Sequence, residues 1–305
     1  MSGWFYRGLI AASRWLGLWL IAFFAWWVAT GYFLFLPQRV ANSMRFYRCL
    51  LPDSGWWSRL ALTWRQFHRF AGLFAERVRL ARGGALERED EGFERIEQAA
   101  AAGRGGVLLM SHLGNWEVAA RLFRAEGVRL MLFMGQRQRE QVERMQKQDL
   151  AGGGVDLQIA PAEQADHFGA IEGLRFVRAG GMVSFAGDRL WSAAQRAVAV
   201  QFLGCRVELP AGPHLFALAT GAPLFTFFAL RTGRRRYRLV AYGPRRVEAP
   251  SRDQRWAAVQ RSAQEYAHML EDVVRRFPTH WYHFEPFLGP RWGATEAGGR
   301  SSPPG

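Results

Sequence analysis

The sequence has little cysteine and almost no lysine. Its two cysteines, Cys49 and Cys205, match neither a disulfide framework nor a zinc motif. The glycines of "GRGGV" precede a predicted strand instead of following one, so there is no dinucleotide fingerprint, and no P-loop occurs. We also find no D-x-D motif for a metal-bound sugar diphosphate. These absences argue against a disulfide-stabilised secreted protein, a nucleotide-dependent enzyme and a membrane glycosyltransferase.

Arginine is in excess. The chain has 305 residues, of which 49% are hydrophobic, with a formal net charge of +14, and Lys147 is its single lysine. A chain of this length buries a substantial core. The positive surface favours an anionic partner, such as nucleic acid, phospholipid head groups or an acidic carrier protein. We expect no nucleic acid, because the sequence has no helix-turn-helix, zinc or RNA-binding signature.

An apolar segment near the N-terminus has no charged residue. It runs from Trp15 to Leu36 as "WLGLWLIAFFAWWVATGYFLFL", and about 20 apolar residues suffice to cross a ~30 Å hydrocarbon core. A signal peptide has a shorter apolar core and a cleavage site. We therefore predict an N-terminal transmembrane anchor over residues 1–41, with an in-plane helix or hairpin as the alternative. More arginines follow the span than precede it, which favours a cytoplasmic C-terminal side.

The remaining sequence predicts one α/β domain over residues 42–290. Residues 42–101 form a helical lead-in that either lies on a membrane or covers a sheet. Short apolar runs then alternate with predicted helices at 115–125, 136–150 and 162–179, which indicates a mixed, largely parallel central sheet flanked by helices. The runs "PLFTFFALR" and "YRLVAYG" predict a hairpin, and a long helix follows at 253–276. Residues 291–305 are predicted to be a disordered tail.

The stretch "MSHLGNWEVAARLF" places His112 and Glu117 five positions apart, directly after an apolar run. In a continuous helix these side chains would not meet. They can meet if the strand stops at His112, Gly114 makes the turn and Asn115 caps a helix. A carboxylate on one imidazole nitrogen leaves the other free to take a proton. The alternative is that Glu117 only complements the helix dipole and His112 is a structural residue at a strand end.

The block "SHLGNWE" resembles the H-x-x-x-x-E motif of the lysophospholipid acyltransferase superfamily, and in particular the bacterial lipid A biosynthesis (lauroyl and myristoyl) acyltransferases. The similarity continues through "GDR" at 187–189, "VAVQFLGCRVELPAGPHLFALATGAPLFTFF" and "HWYHFEPF", and covers residues 100–290. The resemblance implies the fold of the glycerolipid acyltransferases. The sequence differs from the lipid A enzymes after Asp188 and in the "WYHF" ending, which leaves another glycolipid, a polyene or an amino-lipid open as the acceptor.

The resemblance also implies a mechanism and a set of site residues. His112 and Glu117 would be catalytic, with Asn115, Asp188 and Arg189 binding substrate. Backbone N–H groups near Asn115, or Arg189, would stabilise the oxyanion. The acyl group would come from an acyl thioester of acyl carrier protein or coenzyme A and pass to a hydroxyl of a lipid or glycolipid, such as a lipid A precursor, with no cofactor. The expected location is the bacterial inner membrane, facing the cytoplasm. The alternative is a non-catalytic lipid-binding membrane protein on the same fold.

Three further patterns have more than one interpretation. "PLFTFFAL" could line an acyl groove or fill the core. The arginines of "RTGRRRYR" at 231–238 could meet phosphates, membrane lipid or acyl carrier protein, or form a solvated hairpin tip. His280 and His283 are spaced as ligands on one helical face, but no third ligand is indicated nearby, and we expect no metal.

Overall fold

A computed structural model describes residues 18–81, 86–135, 156–160, 168–192 and 195–292. Three helices come first: α1 Leu18–Phe35, α2 Pro37–Leu50 and α3 Trp56–Ala81. The strands are β1 Glu87–Glu91, β2 Gly106–Met110, β3 Leu130–Gly135, β4 Asp156–Ala160, β5 Met182–Ala186, β6 Ala197–Phe202, β7 Cys205–Pro210, β8 Leu224–Arg231 and β9 Arg236–Arg245. The other helices are α4 Glu94–Ala101, α5 Trp116–Ala125, α6 Phe168–Arg178, α7 Gly212–Thr220 and α8 Arg255–Arg276.

Seven of these strands form a central sheet in the order β1-β9-β8-β2-β5-β3-β4. Within this sheet β8 and β9 pair antiparallel, as the predicted hairpin requires, and the other pairs are parallel. Strands β6 and β7 make a separate antiparallel hairpin. The structure therefore confirms the mixed, largely parallel α/β fold.

Both faces of the sheet are covered, which explains the unbroken apolar run of β2. Val107 and Leu109 belong to the core cluster that includes residues of α8, whereas Leu108 and Met110 belong to the cluster under α4 and α5. A parallel strand buried on both faces has apolar residues at successive positions instead of alternating ones. The apolar run ends with β2, where the chain is no longer covered on both faces of the sheet.

Strand β1 was not predicted, because its sequence "EREDE" has no apolar residue. It pairs in parallel with β9 at the sheet edge, where Glu87 bonds Arg236 and Glu89 bonds Arg238. Charge pairing across the two strands takes the place of an apolar face. The lead-in over 42–101 is thus not wholly helical. Three arginines of the "RTGRRRYR" segment, Arg231, Arg236 and Arg238, pair with carboxylates within the fold.

Helix α1 is long and apolar enough to cross a membrane, and it is mostly exposed. It packs along α3: the rings of Trp26 and Phe33 lie 6.0 and 5.0 Å from the ring of Trp64, and the hydroxyl of Thr30 lies 3.1 Å from Nε2 of His68. The opposite side of α3 packs against the α/β domain. Helix α3 therefore lies between the apolar helix and the sheet.

Several predictions fall on segments that the structure describes only in part or not at all. The predicted helix at 136–150, part of that at 162–179 and most of the tail lie outside the described residues. Arg291 and Trp292, at the start of the predicted tail, bond to the β6–β7 hairpin. Cys49 and Cys205 are free thiols, and their Sγ atoms lie 3.4 Å apart between α2 and β7.

Candidate active site

His112 and Asp188 follow the ends of neighbouring parallel strands. Met110 ends β2 and Ala186 ends β5, and these two residues are register partners. Each candidate residue comes two positions after its strand, so both lie at the same edge of the sheet. The carboxyl edge of parallel strands is where open α/β sheets bind ligands.

The turn after β2 has the predicted form. Gly114 has a φ of +88°, and a Cβ there would lie 2.2 Å from the Ala229 carbonyl oxygen, so the position requires glycine. Asn115 caps α5, because its side-chain oxygen accepts from the N–H groups of Glu117 and Val118 at 3.2 and 3.3 Å. The close approach of Gly114 to β8 determines where the chain changes direction after His112.

The imidazole of His112 bonds to Asp188. Its Nδ1 lies 2.9 Å from Oδ1 of Asp188, and the main-chain N–H of His112 donates to Oδ2 at 2.9 Å. The indole N–H of Trp281 donates to the same Oδ2 at 3.0 Å. Asp188 is fully buried. Three N–H groups therefore converge on one buried carboxylate and fix its orientation.

The charge of Asp188 determines the tautomer of His112. Burial opposes ionisation of Asp188, but the facing His112 ring, with His283 and the Trp281 indole, holds the pKa of Asp188 well below its usual range. A carboxylate can only accept, so Nδ1 of His112 carries the proton. Nε2 of His112 then presents its lone pair, and a guanidinium nitrogen of Arg189 lies 3.3 Å from it. In this tautomer Nε2 accepts from the guanidinium, and it can act as a general base when an acceptor hydroxyl takes the place of that donor.

Glu117 occupies a different position from the one expected. Its carboxylate is buried and accepts from Arg121, one turn along α5, at 3.1 Å. Within the described ranges no hydrogen bond or ion pair joins Glu117 to His112. The residue bonded to Nδ1 is Asp188, which the sequence analysis assigned to substrate binding.

Arg189 is the cation at this centre. Its guanidinium pairs with Glu285 at 3.0 Å and lies over the ring of Trp191. The backbone N–H groups of Gly114 and Asn115, which were expected to stabilise an oxyanion, donate instead to the carbonyls of His280 and Ala229. Among the predicted donors, Arg189 is therefore the one next to the imidazole.

The sequence analysis did not assign residues 280–283 to the candidate active site. Leu113 and Trp281 form an antiparallel bridge, and the N–H of Tyr282 donates to the carbonyl of His112 at 2.8 Å. The segment is extended, not helical, so His280 and His283 do not share a helical face. The "HWYH" block was visible in the sequence, but nothing there indicated that its tryptophan faces Asp188.

Three histidines, His214, His280 and His283, are buried. Burial lowers the pKa of each to about 4, and the charge of Arg69 contributes at His280. They are therefore neutral at pH 7. The ring of His283 lies 6.0 Å from that of His112.

The family model of the bacterial lipid A biosynthesis acyltransferases matches residues 58–289. The chain belongs to this family. The matched range contains His112, Asp188 and Trp281, together with the whole described sheet. The comparison with curated proteins finds no match. The protein is therefore an acyltransferase, and its family acts in lipid A biosynthesis.

A cavity of about 340 Å³ opens beside the centre of this acyltransferase. Its lining includes Asp188, Arg189, His283, Glu285 and Phe287. The phenylalanines of "PLFTFFAL", by contrast, are buried in the core of β8. Of the two interpretations of that run, core packing is the one observed.

Proposed function

We propose that this acyltransferase transfers a fatty acyl chain from an acyl thioester to a hydroxyl of a lipid or glycolipid, such as a lipid A precursor. The observation that carries the proposal is the His112 imidazole, held by a buried carboxylate with Nε2 directed to a guanidinium. Family membership supports the reaction class, and the His112 geometry supports general-base chemistry.

In this mechanism Nε2 of His112 takes the proton of the acceptor hydroxyl, and the hydroxyl oxygen attacks the thioester carbonyl carbon. Arg189 stabilises the negative charge on the carbonyl oxygen. The C–S bond then breaks, and the imidazolium returns its proton to the leaving thiolate. Asp188 stabilises the imidazolium between these two steps. The products are an ester and a free thiol, so no cofactor is consumed.

The catalytic role of Glu117 remains a prediction. Glu117 lies in the first turn of α5, and its carboxylate accepts a hydrogen bond from Arg121. Asn115 binds the start of the same helix through its cap. Both residues therefore belong to the turn that carries His112, and substitution can test each separately.

We place the enzyme at the bacterial inner membrane with the α/β domain on the cytoplasmic side. The exposed apolar helix α1 supports membrane association. Acyl carrier protein and coenzyme A both carry thioesters, and both are anionic partners for a chain of net charge +14. Either donor fits the chemistry.

The test uses the purified full-length protein with acyl-loaded carrier protein or acyl-coenzyme A and extracted envelope lipids. Mass spectrometry should detect a lipid heavier by one acyl chain, with release of the free thiol. His112→Ala should abolish transfer while the protein remains folded. Transfer that survives this substitution, or lipid binding without transfer by the native protein, would favour the non-catalytic lipid-binding alternative.

A further inference from the structure

Helix α3 presents three polar side chains to the back of the site. Gln66, Arg69 and Glu76 fall within a sector of about 80° on an ideal helix. Gln66 and Glu76 are almost fully buried. Burying a polar group costs free energy unless the group is hydrogen-bonded. Gln66 and Arg69 contact the segment 280–283, and Glu76 contacts the β8–β9 hairpin.

Gln66 and Arg69 contact the segment that lies behind His112. The side-chain amide of Gln66 donates to the carbonyl of Trp281. A guanidinium nitrogen of Arg69 lies 2.7 Å from Nε2 and 3.1 Å from Nδ1 of His280. Because Trp281 donates its indole N–H to Asp188, Gln66 is one residue removed from the carboxylate that orients the imidazole.

Glu76 reaches the other side of the turn. Its carboxylate accepts from the hydroxyl of Tyr237 and pairs with Arg231 at 3.3 Å. The hydroxyl of Tyr237 accepts in turn from the side-chain amide of Asn115 at 3.4 Å. Asn115 caps α5, whose first turn contains Glu117. Glu76 is thus connected to the N-terminus of α5 through two side chains.

These contacts join α3 to both ends of the loop that carries His112. Aromatic packing adds to them, since the ring of Phe67 lies 4.5 Å from that of Phe284 and the ring of Phe70 lies 5.3 Å from that of Tyr282. Substitution of any one contact should shift the imidazole relative to Arg189. Displacements of about 1 Å can cost two orders of magnitude in rate.

We propose that α3 is the positioning element of the catalytic centre, with Gln66 and Glu76 as its positioning residues. This inference rests on the proposed function for its kinetic consequence. Gln66 fixes Trp281 and hence Asp188, whereas Glu76 fixes Tyr237 and hence Asn115. Neither residue touches the reacting atoms.

The test compares Gln66→Leu and Tyr237→Phe with Arg65→Gln in the full-length protein. Leucine keeps approximately the volume of Gln66 but removes the amide that donates to Trp281. Phenylalanine keeps the ring of Tyr237 but removes the hydroxyl that connects Glu76 with Asn115. Arg65 is an exposed residue of the same helix, so its substitution is the matched control. The measurements are kcat, KM and amide hydrogen exchange in peptides covering residues 110–118 and 186–190.

Each of the two variants should lower kcat by about tenfold or more and leave KM within about twofold. Exchange should accelerate in the two named peptides and not in those of β3 or α8. The control should change neither quantity. Unchanged exchange in the named peptides, or acceleration spread over the whole domain, would overturn the proposal. If the native protein transfers no acyl group, the proposed function fails, and the exchange pattern still decides whether α3 positions the loop.

Discussion

Replacing Asp188 by asparagine should reverse the tautomer of His112. The carboxylate accepts from three N–H groups: two of His112 and the indole of Trp281. An asparagine has one acceptor oxygen and a donating NH₂ group. With its oxygen in the place of Oδ2, the two remaining N–H groups keep their acceptor, and the NH₂ group faces Nδ1 of His112. The imidazole then accepts at Nδ1 and carries its proton on Nε2, which no longer acts as a base.

The size of the effect follows from this change. A wrong imidazole tautomer lowers kcat in a Ser-His-Asp enzyme by about four orders of magnitude. We expect a loss of about 10² to 10⁴ in kcat for Asp188→Asn, which is about 3 to 5 kcal/mol in activation free energy. Any N–H group left without an acceptor costs a further ~1 to 3 kcal/mol in the free energy of unfolding.

The assay is steady-state acyl transfer, which gives kcat and KM, measured with the native protein, Asp188→Asn and Glu117→Gln at one pH. The melting temperature of each variant serves as the control for folding. If Asp188 orients the imidazole, Asp188→Asn loses the larger factor while KM stays within a few-fold. Near-native turnover by Asp188→Asn, with a large loss for Glu117→Gln, would refute this reasoning and restore the predicted His112–Glu117 dyad.

Three other predictions concern stability and packing. The three buried histidines bind protons in the unfolded chain near pH 6.5 but in the folded chain only near pH 4; the free energy of unfolding should therefore fall by up to about 4 kcal/mol per pH unit as the pH drops through this window, measured by thermal melts. Glutathione disulfide should oxidise Cys49 and Cys205 to an intramolecular disulfide with release of two glutathione thiols, seen by thiol counting. Burial and the neighbouring Cys49 thiol raise the pKa of Cys205 to about 11, so this oxidation should accelerate with pH. Gly114→Ala should lower the melting temperature and the rate of transfer, because its Cβ would meet the Ala229 carbonyl.

For each of these three predictions, one experimental result would contradict it. A melting temperature that stays constant between pH 6.5 and 4.5 would show that the buried histidines do not resist protonation. Thiols that persist under oxidation would contradict the packing of α2 against β7. Gly103 also has a positive φ but open space around it, so Gly103→Ala is the control for Gly114→Ala. Equal losses in the two variants would show that backbone conformation, not the contact with Ala229, sets the requirement.

The sequence predicted the elements whose pattern is local. Apolar runs located β2, β5, β8 and β9, and the Gly114–Asn115 turn was expected from the known preferences of those two residues. Strand β1 was missed because its charged residues pair with arginines about 150 positions later, at 236 and 238. Pairing across such a distance leaves no periodic signal in the strand itself.

The sequence analysis named residues that the structure places together, but it did not predict the contacts between them. His112, Asp188 and Arg189 do come together, yet the sequence alone joined the imidazole to Glu117, its neighbour along the chain. The contact with Asp188 depends on β2 and β5 being adjacent in register, although another pair of predicted strands separates them in sequence. Trp281 was missed for the same reason, because its position depends on a pairing with Leu113 at long range.

The packing of α1 along α3 has a consequence for how the enzyme meets its substrate. A flexible tether would let the domain sample many heights and tilts above a bilayer. Here the helix that supports His112 from behind also holds the apolar helix, so once α1 is immersed, the depth and angle of the imidazole relative to the lipid plane are set. With the membrane placement and lipid acceptor proposed above, the acceptor hydroxyl would reach His112 by lateral diffusion within the leaflet.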